Sequence, residues 1–98
     1  MTIAEARSRI DEIDDEIAGL FARRIALVGE IAARKKEGSL PIRDTARERE
    51  IVSRLASGRP ASVARCVEKL YAAIFEISRE RQSDAFNDGA HGAGAGGK

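Results

Sequence analysis

The sequence predicts an all-α fold of three helices, in the order long, short, long. Apolar residues recur at spacings of three and four through three segments, which places them along one stripe of a helix in each case. No stretch alternates apolar and polar residues as a half-buried strand would. Pro41 and Pro60, the two prolines among the 98 residues, both fall between the helical segments. This length fits one domain, whose small core is only marginally stable unless chains associate.

The first helix is predicted from about Ala4 to Lys36. Thr2 and Glu5 have the spacing of a capping box, and Gly38 follows a basic last turn as a stop signal. At 1.5 Å per residue such a helix spans roughly 50 Å, whereas a compact chain of this size has a radius of gyration of about 13 Å. The helix is therefore too long for its own domain. Its apolar stripe comprises Ile3, Ile10, Ile13, Ile17, Leu20, Phe21, Leu27, Val28 and Ile31.

Arg24 interrupts this stripe, seven residues after Ile17 and seven before Ile31. A buried guanidinium is costly unless an anion meets it. We therefore expect either an internal carboxylate or an anionic ligand opposite Arg24.

The second and third helices follow after short connections. Asp44 or Thr45 can cap a helix that runs to about Ala56, and the third helix is predicted from about Pro60 or Ala61 to Phe86. The predicted helical domain therefore covers residues 1–86. Residues 87–98 contain five of the nine glycines and no apolar period, which predicts a flexible tail in which His91 is solvated.

Polar side chains interrupt the inner face of every predicted helix. If the helices lie side by side, three cations, one carboxylate, one hydroxyl and one amide would surround a common pocket. Each has an ordinary structural explanation when taken singly, such as a side chain reaching solvent or an internal ion pair. The residues are Arg24 and Lys35, Arg47 and Glu48, and Ser78 and Gln82.

Such a pocket suits the binding of a small polyanion and the stabilisation of charge that develops on its oxygens. The sequence offers no nucleophile with an adjacent base, no metal-ligand set and no glycine-rich phosphate loop, so we expect neither a metal nor another cofactor. Cys66, the single cysteine, excludes an internal disulfide and is interpreted as a small core residue.

Charge and hydropathy exclude other classes of function. Lys and Arg total 17 against 16 Asp and Glu, and the charges are interspersed, which argues against a nucleic-acid surface. No secretory signal or membrane span is visible, so a cytoplasmic location is expected.

Several segments together are similar to a known family. They are RSRIDEIDDEI near the beginning, ARR ending at Arg24, Lys35 before the loop, PIRDTARERE over 41–50, and EISRERQ with Ser78 and Gln82. In this order the chain resembles the all-helical class of chorismate mutases, from about Ala4 to Asp84. The resemblance implies an intertwined homodimer in which two long first helices run antiparallel and each active site takes residues from both chains.

The resemblance also implies roles for individual residues. Arg24, Lys35 and Arg7 from the partner chain match the cations that hold the two carboxylates of chorismate. Lys35 and Gln82 match the pair that hydrogen-bonds the ether oxygen. The group that receives the ring hydroxyl corresponds to Glu48 with the backbone at Asp44, and supporting contacts correspond to Arg47 and Ser78.

The reaction implied is the intramolecular Claisen rearrangement of chorismate to prephenate, a step in aromatic amino acid biosynthesis. Related enzymes on this fold act on 4-amino-4-deoxychorismate or remove pyruvate from isochorismate. The amino analogue is equally compatible with Glu48 and Asp44, whereas the segment 41–50 is closer to the mutases than to the lyase. From another class, a helical dimerisation module without catalysis would leave Arg24 and Lys35 solvent-facing or internally paired.

Overall fold

The structure is a computed structural model that describes the backbone of residues 1–91 and the side chains of residues 1–85. Helix α1 spans Ile3–Glu37, α2 spans Thr45–Ala56 and α3 spans Ala61–His91. Within residues 1–91 no strand is formed. The predicted all-α fold of a long, a short and a long helix is confirmed.

The start of α1 is fixed by the predicted capping box. Glu5 N donates to Thr2 Oγ1 at 3.0 Å, and Thr2 N donates to Glu5 Oε1 at 2.7 Å. These hydrogen bonds satisfy two backbone donors that a helix N-terminus leaves without partners. The backbone and hydroxyl donors of Thr2 hold the pKa of Glu5 below its ordinary value because they stabilise the charged carboxylate.

The connections use two residues in the left-handed region. Gly38 caps α1 at φ −90°, while the positive φ that often follows a helix is taken by Ser39, at 56°. In the turn between α2 and α3 the positive φ of 77° is at Gly58, where a residue without a Cβ adopts it at no steric cost.

Helix α3 extends at least five residues beyond the predicted end at residue 86, to His91. The segment Asn87–Ala90 contains no proline, and its one glycine, Gly89, costs a helix only about 1 kcal/mol. The remainder of the predicted tail, residues 92–98, lies outside the described residues, as does the side chain of His91, so their predicted flexibility and solvation stay predictions.

The three helices form an open arrangement around α3. Helices α1 and α2 both pack against α3, and within residues 1–91 they do not pack against each other. The molecule measures 53 × 34 × 14 Å with a radius of gyration of 17.2 Å, against about 13 Å for a compact chain of this size. The buried apolar core is correspondingly small and consists of Val28, Ala32, Ile74 and Phe75.

Most of the predicted apolar stripe of α1 is exposed in the single chain. Ile17 retains 57% and Leu20 58% of their accessible surface. Cys66 is also exposed, so its interpretation as a core residue was wrong. It lies on the same side of α3 as the exposed Val63 and Leu70, which neither α1 nor α2 covers. Contiguous apolar surface of this extent is typical of an interaction face. The exposed large apolar residues of α1 are Ile3, Ile10, Ile13, Ile17, Leu20, Leu27 and Ile31, and those of α3 are Val63, Leu70 and Ile77.

For residues 1–91, no helix has both the length and the apolar composition that a membrane crossing requires.

Candidate active site

A cavity of about 310 Å³ lies where the C-terminal half of α1, the start of α2 and the middle of α3 face one another. Its volume is within the range of small-molecule sites. All six polar residues that interrupt the predicted inner faces line it, together with Asp44 and an apolar wall that includes Val28 and Phe75. The six are Arg24, Lys35, Arg47, Glu48, Ser78 and Gln82.

Arg24 enters the cavity from α1 and is half-buried. Its Nη1 donates to Ser78 Oγ on α3 at 2.6 Å, and its Cζ lies 5.9 Å from the centroid of the Tyr71 ring. Among the side chains of residues 1–85, no carboxylate forms an ion pair with Arg24. The first of the two expected partners, an internal carboxylate, is therefore absent from the described side chains. The positive charge of the guanidinium stays uncompensated at the cavity wall.

Lys35 is positioned by the loop that joins α1 to α2. Its Nζ donates to the carbonyl oxygen of Ile42 at 2.7 Å, and its own carbonyl accepts from Leu40 N at 2.7 Å. The side chain is half-buried and lines the same cavity as Arg24. Because an ammonium has three donor positions, one bond to a carbonyl leaves others for a ligand.

Glu48 is held by a residue that sequence reasoning missed. Arg79 Nη1 lies 2.7 Å from Glu48 Oε2, and the two side chains are only 28% and 20% exposed. Neither Arg47 nor Arg24 is its partner. Arg79 comes four residues after the buried Phe75, so extending the inner face from Phe75 as well as from Ile74 would have found it.

Arg47 and Asp44 belong to the first turn of α2. Asp44 caps this helix, with its Oδ1 accepting from Arg47 N at 3.0 Å. The Arg47 guanidinium is exposed and pairs with Glu50 Oε1 at 2.6 Å. Exposed pairs of this kind contribute little to stability, so a ligand can displace Glu50 at small cost.

Ser78 and Gln82 form the floor of the cavity on α3. They are the polar residues buried most deeply, at 6% and 8% exposed. Gln82 Oε1 is buried without a hydrogen-bond partner among the described side chains. A buried polar atom without a partner costs about 1 to 3 kcal/mol, and because an amide oxygen is an acceptor, only a hydrogen-bond donor could satisfy it.

Arg7 is the one residue of the predicted site that the structure does not bring to the cavity. It lies on the exposed N-terminal half of α1, seventeen residues before Arg24 and so about 25 Å along the helix axis. Within a single chain the two guanidinium groups cannot contact one small ligand.

A second, larger cavity of about 590 Å³ lies in the neighbouring cleft between α2 and α3. It shares Glu48, Phe75 and Arg79 with the first cavity, so the ion pair is part of the wall between them.

The charges around the first cavity favour an anion. Four cationic side chains, Arg24, Lys35, Arg47 and Arg79, line it against two carboxylates, and one of those carboxylates is already paired. In the part of the chain with described side chains, no three His, Cys, Asp or Glu residues cluster as metal ligands do. The arrangement can therefore hold a small anion with several oxygens and supply donors to it from α1 and α3.

The chain is similar to known proteins in two comparisons. A family model described as chorismate mutase type II matches residues 6–83. The chain is also 42% identical over 53 residues to a chorismate mutase of Methanocaldococcus jannaschii. That alignment covers 54% of the chain, and the chain spans about half the length of this relative, 54%. No solved structure is significantly similar to the chain.

Proposed function

Because the chain belongs to the chorismate mutase type II family, we propose that it is an isomerase that catalyses the rearrangement of chorismate to prephenate. The observation that carries the proposal is the guanidinium of Arg24, which is half-buried at a cavity wall without a carboxylate partner among the described side chains. A substrate carboxylate supplies the missing anion.

The reaction breaks the ether carbon–oxygen bond while a new carbon–carbon bond forms within the same molecule. No proton is transferred and no covalent enzyme intermediate arises. The enzyme has to hold the enolpyruvyl arm folded over the ring and to stabilise the negative charge that grows on the ether oxygen. Both tasks require positioned donors, which is what the cavity contains.

The donors divide between these two tasks. Arg24, together with the partner subunit's Arg7, binds the substrate carboxylates. Lys35 Nζ and the Gln82 amide donate to the ether oxygen, where their hydrogen bonds strengthen as the bond breaks. Since Ile42 O already orients the Lys35 side chain at 2.7 Å, the ammonium needs little reorganisation during the reaction.

The remaining residues orient the ring and the cations. Glu48 accepts a hydrogen bond from the ring hydroxyl with its free Oε1, assisted by the backbone at Asp44. Ser78 orients Arg24 through the 2.6 Å hydrogen bond, and Arg47 turns from Glu50 to a substrate carboxylate.

The active unit is proposed to be a homodimer with two long antiparallel α1 helices. The exposed apolar stripe of α1 supports this, because burying each large side chain contributes about 1.5 to 3 kcal/mol. An antiparallel partner also brings a second Arg7 towards the cavity, which the same chain's Arg7 cannot reach.

The test is to incubate the purified protein with chorismate and follow the loss of its ultraviolet absorbance. Lys35→Ala should lower kcat/KM by roughly 2 to 4 kcal/mol equivalents, or about 30- to 1,000-fold. Lys69→Ala removes the same charge from an exposed position of α3 and should leave the rate unchanged. Absence of acceleration by the unmodified protein at micromolar concentration would reject the proposal.

A further inference from the structure

The ion pair between Glu48 and Arg79 bears on which ring substituent the cavity accepts. Glu48 Oε2 is engaged by Arg79 Nη1 at 2.7 Å, and both side chains are largely buried. Among the side chains of residues 1–85, Glu48 pairs with no other cation: Arg47 pairs with Glu50, and Arg24 donates to Ser78. The carboxylate that is proposed to receive the ring hydroxyl is therefore already compensated by one guanidinium.

A neutral hydroxyl and a charged amine respond differently to this arrangement. A hydroxyl donates one hydrogen bond, which the free Oε1 of Glu48 can accept while Oε2 stays with Arg79. A protonated amine is best stabilised by an unpaired carboxylate, and here it would lie beside a guanidinium in a cavity lined by further cations. The repulsion is largest where water is excluded.

We propose that Arg79 is a specificity-determining residue that makes the cavity select a neutral ring hydroxyl over a protonated ring amine. This inference rests on the proposed function and concerns the choice between chorismate and 4-amino-4-deoxychorismate. Discrimination of this kind works by placing a repulsive group against the wrong substrate rather than by adding a contact to the right one.

The position of Arg79 allows its guanidinium to repel a cation bound in the cavity. It lines the cavity on the same face of α3 as Ser78 and Gln82, and its ion pair joins α3 to α2 across the cavity wall. Without the guanidinium, Glu48 would be a partly buried carboxylate without a cation, and an ammonium on the substrate could take its place.

The experiment measures kcat/KM for chorismate and for its 4-amino analogue with the unmodified protein, Arg79→Met, Arg79→Gln and Arg79→Lys. Arg81→Met is the matched control, because it removes an exposed arginine from the same helix. The ratio of the two kcat/KM values within one preparation does not depend on the fraction of correctly folded protein. The assays are run at a pH where the amine is protonated and again where it is neutral.

We expect the unmodified protein to prefer chorismate, and Arg79→Met and Arg79→Gln to lower the preference at least tenfold, mainly through KM for the amino analogue. Arg79→Lys should stay within about threefold of the unmodified ratio, since the charge is kept, and Arg81→Met should match it. In the unmodified protein the preference should weaken once the amine is neutral, and this weakening should be smaller in Arg79→Met, a difference that a purely structural role for Arg79 would not produce.

An unmodified protein that rearranges chorismate but shows the same preference as Arg79→Met, or the same preference at both pH values, would overturn this inference alone. Failure of the unmodified protein to rearrange either compound would instead reject the proposed function, and this inference with it.

Discussion

Arg24 Nη1 on α1 lies 2.6 Å from Ser78 Oγ on α3, and this hydrogen bond joins the two long helices at the wall of the cavity. The neutral Ser78 hydroxyl orients the Arg24 guanidinium without neutralising it, so the positive charge stays available to a ligand. Ser78 is 6% exposed, so little water can compete for its hydroxyl.

Ser78→Ala should therefore weaken the positioning of Arg24 while leaving its charge in place. A hydrogen bond to a charged group contributes about 1.5 to 3 kcal/mol, so we expect kcat/KM to fall roughly 10- to 100-fold. Steady-state kinetics with chorismate measure this, with Ser83→Ala, an exposed serine on the same helix, as the control. Equal kinetics for the two variants would show that Arg24 needs no support from α3.

Gln82→Glu should convert a pH-independent donor into one that works only when protonated. Carboxyl groups in such a buried position donate a hydrogen bond only in the acid form, so activity should rise as the pH falls. The measurement is the pH profile of kcat/KM. Gln82→Leu is the control, because it has no donor at any pH and should be poorly active at every pH. A pH profile of Gln82→Glu as flat as that of the unmodified protein would contradict the proposed role of Gln82 at the ether oxygen.

Arg7→Ala and Arg24→Ala should each inactivate the enzyme, yet their mixture should recover activity after subunit exchange. Each proposed site takes Arg24 from one chain and Arg7 from the other. In a heterodimer of the two variants, one site therefore lacks both arginines and the other site has both. With random exchange about half of the dimers are mixed, so about a quarter of the unmodified activity should return. Each variant mixed with itself is the control, and a mixture that stays inactive despite subunit exchange would mean that Arg7 does not serve the opposite site.

Ile17→Glu should dissociate the proposed dimer, because it puts a carboxylate in the exposed apolar stripe of α1. Ala26→Glu adds the same group nine residues later, half a turn round the helix from Ile17, and is exposed. Sedimentation equilibrium should give twice the chain mass for the unmodified protein and for Ala26→Glu, and a lower mass for Ile17→Glu. Identical masses for the two variants would argue that this stripe is not the interface.

Much of this protein can be predicted from local patterns. The three helices, the capping box at Thr2 and the stop at Gly38 depend on residues within one turn of each other, and all were predictable. The polar residues within the inner faces were also visible in the sequence. A cation such as Arg24 interrupts the three-and-four spacing of apolar residues, which is a local pattern. The end of α3 was misjudged because one glycine among helix-compatible residues is a weak stop signal.

Which side chains meet was decided by tertiary structure alone. Sequence spacing allowed Glu48 to pair with Arg47 or Arg24, but α2 packs against α3 so that Arg79 reaches it, 31 residues away in the chain. That pairing depends on how two helices are rotated about their axes, and no local pattern encodes such a rotation. The sequence by itself thus determined three amphipathic helices and the polar groups within their inner faces. The packing against α3 determined that Arg24 has a hydroxyl partner and Glu48 a guanidinium, because contacts between helices follow from the burial of the whole core.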